Sequence, residues 1–109
     1  MTISNEAFLT GLGYTPTDAL LTQLETIEES TKNFEQISKH ILNLNEQLKP
    51  YNSFVALSNT NNYVKIKNQA KDGFVMEVNN IIESWASKYK IDLEKVPNKE
   101  PFYIKGYAK

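Results

Sequence analysis

The sequence predicts a helix-rich α+β domain, and three patterns carry that expectation. Leu20, Ile27, Phe34, Ile41 and Leu48 recur every seventh residue, Tyr63-Val64-Lys65-Ile66-Lys67 alternates in the period of a half-buried strand, and Phe74 to Tyr89 holds an apolar stripe at helical spacing. The expected order is a short N-terminal helix, a long amphipathic helix, a β-hairpin, a second amphipathic helix and an extended aromatic C-terminal tail. With 109 residues, 40% of them hydrophobic and 11% aromatic, the chain is sized for one domain over residues 1–109 with a single modest core.

Residues 4–12 suit a short helix capped by Ser4 or Asn5, with Phe8, Leu9 and Leu12 along one side and Gly13 at its end. Thr15-Pro16-Thr17-Asp18 then starts the main helix, because Thr15 can cap, Pro16 suits the first turn and Asp18 faces the positive end of the dipole. No glycine or proline follows until Pro50, so the amphipathic pattern runs on for about 33 residues, or ~50 Å at the helical rise. That exceeds what a domain of this size covers comfortably, so the helix either breaks near Ser30-Thr31 or meets another chain. The residues four beyond each member of the seam are Leu24, Thr31, Ser38 and Asn45, so its companion row turns polar after Leu24. A zipper along the whole length would have to bury those groups. The second half, Phe34, Ile37, Ile41, Leu44 and Leu48, has the broader stripe of a helix on its own core. The first half, Leu20 to Ile27, is left as the part expected to wait for a partner.

Lys49-Pro50 ends the helix. Ser53–Ser58 and Tyr63–Asn68 flank the polar turn Asn59-Thr60-Asn61-Asn62, which predicts a hairpin. Phe54-Val55-Ala56-Leu57 lacks clean alternation and would serve as well in a short helix, so an all-α bundle is the alternative fold. Asp72 is the expected cap of the next helix, whose stripe of Phe74, Val75, Val78, Ile81, Ile82, Trp85 and Tyr89 runs to about Lys90. Asp92 is expected to cap a further turn through Val96, before Pro97 and the strand-like tail Phe102-Tyr103-Ile104-Lys105-Gly106-Tyr107.

Composition excludes several classes. The formal charge of −1 divides unevenly: residues 1–49 carry seven acids and three lysines, residues 50–109 six acids and nine lysines. Neither half has the basicity of a dedicated nucleic-acid footprint. All 12 basic residues are lysine, so the bidentate fork that grips phosphates and reads guanine edges is missing. The absence of cysteine removes disulfides, thiol nucleophiles and thiolate zinc sites, and fits a reducing, cytoplasmic setting. The N-terminus has no basic segment followed by an apolar one, as a secretory leader would, and no apolar stretch approaches the ~18 residues of a membrane span.

Candidate chemistry is sparse. His40 is the one histidine, and its helical neighbours Gln36, Ile37, Asn43 and Leu44 offer no acid to orient it. Glu25, Glu28 and Glu29 form an acidic patch, but the Glu-x-x-His pairs of a carboxylate-bridged metal site are missing. Gly11-Leu12-Gly13 reads as a helix end, since no strand precedes it and a third glycine is lacking. Trp85 belongs to a core stripe. Tyr63, Lys65 and Lys67 share one side of a strand, as do Tyr103, Lys105 and Tyr107 if the tail is extended. Paired, the two strands would set tyrosines among lysines, the ingredients of a single-strand nucleic-acid platform.

These residues favour a non-enzymatic protein-binding module, such as an adaptor, an assembly or secretion chaperone, or an inhibitor or immunity-type partner. No cofactor or metal is expected, nor any membrane contact. The expected contact surface is Leu20, Leu24, Ile27 and Phe34 with Glu25, Glu28 and Glu29 beside them, together with Tyr103, Lys105 and Tyr107. Homodimerisation through the seam belongs to the same expectation. The alternative is association with single-stranded nucleic acid through the Tyr63, Lys65, Lys67 face, which the charge balance disfavours.

Overall fold

The computed structural model describes residues 4–58, 62–95 and 102–107. It is a helix-rich α+β fold in which four helices and a four-stranded antiparallel sheet share one core. Helix α1 (Asn5–Gly11) is capped by the Ser4 hydroxyl, which accepts from the Ala7 N–H, and α2 (Asp18–Ser30) by Thr17, which accepts from the Leu20 N–H. The cap of α2 is thus Thr17 rather than Thr15. Helix α3 spans Phe34–Leu48 and α4 spans Val75–Tyr89. The strands are β1 (Phe54–Leu57), β2 (Val64–Lys67), β3 (Ile91–Lys95) and β4 (Phe102–Tyr107), ordered β1-β2-β4-β3.

Of the two outcomes expected for the long helix, the break near Ser30-Thr31 is the one found, and the stretch forms two helices. Thr31 is extended, Lys32 pairs with Gly106 of β4, and Asn33 takes a left-handed conformation before Phe34 restarts the helix. The Tyr107 N–H donates to the Lys32 carbonyl at 2.9 Å, so Lys32 serves as an added rung of the sheet. Asparagine tolerates the left-handed turn better than most residues. The longest extent of the molecule is 38 Å, which a helix of ~50 Å would overrun.

The break lets both halves cover the same core. Leu24, Ile27, Phe34, Ile41 and Leu48 are all buried, and Leu20 is half-buried against them. The Phe8 and Phe34 rings meet edge to face at 5.1 Å, tying α1 to the start of α3. The Trp85 indole N–H donates to the His40 carbonyl at 2.8 Å and locks α4 to α3.

The polar companion row is buried as well. Asn45 receives the Val55 N–H at 2.9 Å and reaches the Gly11 carbonyl at 3.4 Å, while the Ser38 hydroxyl donates to the Glu35 carbonyl within its own helix. Thr31 Oγ1 is buried with no hydrogen-bond partner among the described residues. A buried hydroxyl without a partner carries its full desolvation cost. Thr31→Val, which keeps the β-branched shape suited to extended backbone, is therefore expected to raise stability by about 1 kcal/mol in urea unfolding. A loss of that size instead would show the hydroxyl to be satisfied.

Phe54–Leu57 and Val64–Lys67 form the hairpin rather than the all-α alternative, with Phe54 opposite Lys67 and Leu57 opposite Val64. Of the expected turn only Asn62 is described; Asn59 to Asn61 lie outside the described residues. Asp72 opens a short 3-10 turn, Asp72–Phe74, and α4 proper begins at Val75. The turn expected from Asp92 is instead β3, which pairs with β4 along its length; the Val96 end of that expectation lies outside the described residues. Ile91-Asp92-Leu93-Glu94 does alternate, and the left-handed Lys90 ends α4 just before it.

Candidate functional site: the outer face of the sheet

Alternation sorts the strand side chains onto two faces. Val55, Leu57, Val64, Ile66, Phe102 and Ile104 turn inward and join the helices in the core. On the opposite face lie Phe54 and Ala56 of β1, Tyr63, Lys65 and Lys67 from β2 and the residue before it, and Tyr103 and Lys105 of β4. Register defines the neighbours: Phe54 lies opposite Lys67, and Ala56, Lys65, Tyr103 and Glu94 form one row across all four strands. Apart from the buried Ala56 and the exposed Glu94, this face is half-buried.

β2 and β4 are adjacent and antiparallel, so the pairing that would put tyrosines among lysines is present. The Tyr63 and Tyr103 rings are 6.2 Å apart, tilted by 40°. Lys105 Nζ lies 4.0 Å from the Tyr63 ring centre and 4.0 Å from a Glu94 carboxylate oxygen, and Lys67 Nζ is 6.0 Å from the Phe54 ring centre. A hydrogen bond with the Tyr63 side chain raises the Lys105 pKa against the opposing effect of burial, with Glu94 and Asp92 adding to the rise. The ammonium therefore stays charged throughout the physiological range.

Tyr107 does not belong to this face. Between Leu93 opposite Ile104 and Asp92 opposite Gly106, the register shifts and leaves Lys105 as an extra residue of β4. Such a bulge reverses the alternation beyond it. Tyr107 consequently pairs with buried Ile91 and lies on the helical side, lining a groove with Gln36, His40, Lys88 and Tyr89.

The two edges of the sheet are guarded. Val55 N–H donates to Asn45 Oδ1 and Leu57 N–H to the Tyr14 hydroxyl at 3.2 Å, so these two amides of edge strand β1 are spoken for. β3, the other edge, is bulge-paired and carries exposed Asp92, Glu94 and Lys95. Both arrangements discourage a further strand from adding.

The α2 and α3 residues expected to meet a partner are placed differently. Leu24, Ile27 and Phe34 are core residues of this chain and Leu20 packs against them, so none forms a waiting seam. The physical reason is the break at Thr31–Asn33, which folds the first half of the repeat back onto its own domain. Glu25 and Glu29 are exposed on α2, while Glu28 is half-buried. Burial raises the Glu28 pKa, the Asn5 side chain opposes the rise by hydrogen bonding, and Glu25 and Glu35 add to it. Among the described residues no three histidine or acidic side chains converge as a metal ion would require.

His40 sits in a groove of about 300 Å³, its ring stacked on Tyr89 at 3.8 Å and 17°. A neighbouring, wider groove of about 540 Å³ runs between α3 and α4 past Asn43, Glu77, Ser84 and Trp85. The His40 groove supplies lysines Lys88 and Lys90 and, among its lining residues, no carboxylate to orient the ring. Burial lowers the His40 pKa from 6.5, and Lys39 and Lys88 lower it further. The unfolded chain then takes up the proton at higher pH than the folded one, so stability is full above the unfolded value and falls as the pH drops toward the folded one. Relative to His40→Gln, the wild type is expected to lose stability as the pH falls through 6.5, in denaturant titrations at each pH. Parallel profiles for the two proteins would show that the imidazole is not perturbed.

Comparison of the chain with protein-family models, with curated proteins and with solved structures finds no match.

Proposed function

We propose that this protein is a non-enzymatic binding module that holds its partner on the outer face of the sheet. One observation supports this above the rest: Phe54, Tyr63 and Tyr103 lie among Lys65, Lys67 and Lys105 on the side of the sheet opposite the helical core. Aromatic rings beside long cationic side chains combine apolar contact with charge, and they suit an anionic partner. The guarded edges favour docking on the face over strand addition.

The exposed sides of α2 and the half-buried Leu20 offer less, because the large apolar side chains beside them are already in the core. Homodimerisation through the seam is no longer part of the proposal for the same reason. Self-association would have to use other surfaces, such as Phe74 and Met76, which are 48% and 78% exposed.

The test is a comparative capture from native lysate. A partner retained by the wild type and by Glu25→Ala/Glu29→Ala, but lost by Lys65→Glu/Tyr103→Ala with its fold intact by circular dichroism, supports the outer face. The reverse pattern moves the working surface to α2.

A further inference from the structure

Resting on the outer face as the working surface, we infer that its ligand is single-stranded nucleic acid, bound by base stacking and phosphate contacts without sequence selection.

The face offers rings and cations in alternation, with one carboxylate, Glu94, beside Lys105 at its β3 margin. Tyr63 and Tyr103 stand on neighbouring strands 6.2 Å apart, Phe54 marks the far side of β2, and Lys65 and Lys67 run between them. A base stacked on a tyrosine places its phosphate to the side of the ring, where these lysines are anchored. Ala56, between Phe54 and Leu57 in β1 and level with Lys65, keeps the surface low where a strand would cross.

Two lysines already show the interaction that a ligand would exchange. Lys105 lies over the Tyr63 ring at 4.0 Å, and Lys67 faces the Phe54 ring at 6.0 Å. A planar base can take the ring face while the displaced ammonium moves to the phosphate, so cation–π contact in the empty state becomes stacking plus ion pairing in the bound one. The bulge in β4 is what makes Lys105 an extra residue at this position.

The same inventory argues against the competing ligands. An acidic peptide would engage the lysines but leave the flat ring surfaces without a matching partner. Duplex DNA hides its bases, and the face has neither an arginine nor a helix to enter a groove. The outer-face residues named above include no asparagine or glutamine, and the one carboxylate, Glu94, is paired with Lys105, so no sequence selection is expected.

Fluorescence anisotropy with labelled twelve-nucleotide dT and rU strands, alongside a duplex and poly-glutamate, tests the assignment; amide chemical-shift changes locate whatever binds. Three lysines on a single strand imply a slope of about −2 for log affinity against log salt, or about 16-fold weaker binding from 50 to 200 mM. Tyr103→Leu, which keeps apolar bulk while removing the ring, should weaken binding at least about fivefold, and Lys65→Ala should reduce the salt slope by about 0.7. Oligonucleotides that fail to bind, or that bind equally well to Tyr103→Leu and Tyr63→Leu, overturn the inference. Poly-glutamate bound on the same face in their place overturns it too, yet leaves the outer face as the working surface. Oligonucleotide shifts clustered on α2 or in the α3–α4 groove overturn both.

Discussion

Replacing Gly106 by alanine is expected to destabilise the protein by about 4 kcal/mol. Gly106 has φ +138°, a backbone conformation that side-chain-bearing residues rarely adopt, and an added Cβ would lie 2.6 Å from the Lys32 nitrogen and 2.8 Å from its carbonyl oxygen. Those are backbone atoms in the only non-helical link between α2 and α3, so no flexible side chain can swing away. Relief requires separating Lys32 from β4, which gives up the Tyr107 N–H bond to the Lys32 carbonyl. Urea unfolding measures the loss, and hydrogen exchange at the Tyr107 amide should report it locally. A cost under about 1 kcal/mol would mean that the Lys32 rung contributes little.

The second large effect is expected at Asn45, which is 2% exposed. Its side chain receives the Val55 N–H and reaches the Gly11 carbonyl, so it joins α3 to the edge strand and to the end of α1. Asn45→Leu keeps the branched heavy-atom outline, adds the bulk of two methyls and leaves the Val55 amide buried without an acceptor, and the expected loss is about 3 kcal/mol. Exchange at the Val55 amide should accelerate more than at the neighbouring residues of β1. If the leucine variant matched the wild type, Asn45 would be a packing residue only.

Both effects act at joints between elements, and joints were the least legible part of the chain. Periodicity located α3 and α4 because each must bury one stripe, and it located β2 because Val64 and Ile66 alternate with Lys65 and Lys67. Across Ser30–Asn33 the seven-residue repeat continued through a break that no glycine or proline announced; only the mismatch between helix length and domain size pointed to a break near Ser30-Thr31, as one of two outcomes. A repeat records which side chains are buried, not whether the backbone between them stays helical. β3 was overlooked for a different reason: Ile91-Asp92-Leu93-Glu94 alternates over too few residues to outweigh a capping aspartate.

The outer face was legible as two half-patterns, Tyr63-Lys65-Lys67 and Tyr103-Lys105, but whether they met depended on strand order. Tyr107 could not be placed from alternation, since one extra residue in β4 reverses every position beyond it. Nor could the buried polar row be understood. Thr31, Ser38 and Asn45 looked like an obstacle to burial, and Asn45 proves to be a connector because a strand amide and a helix-end carbonyl lie opposite it.

By itself, then, the sequence determined local quantities: which stretches turn as helices or alternate as strands, where caps and prolines interrupt them, and that one small core with lysine as its sole strong base must result. These follow from contacts between residues a few positions apart. Only the tertiary structure decided that the seam would be spent inside the domain, that Lys32 would add a rung to β4, and that two tyrosine and lysine strands would lie side by side. Those outcomes depend on pairings between residues tens of positions apart, where the energy of closing one arrangement over another is not written in any single window.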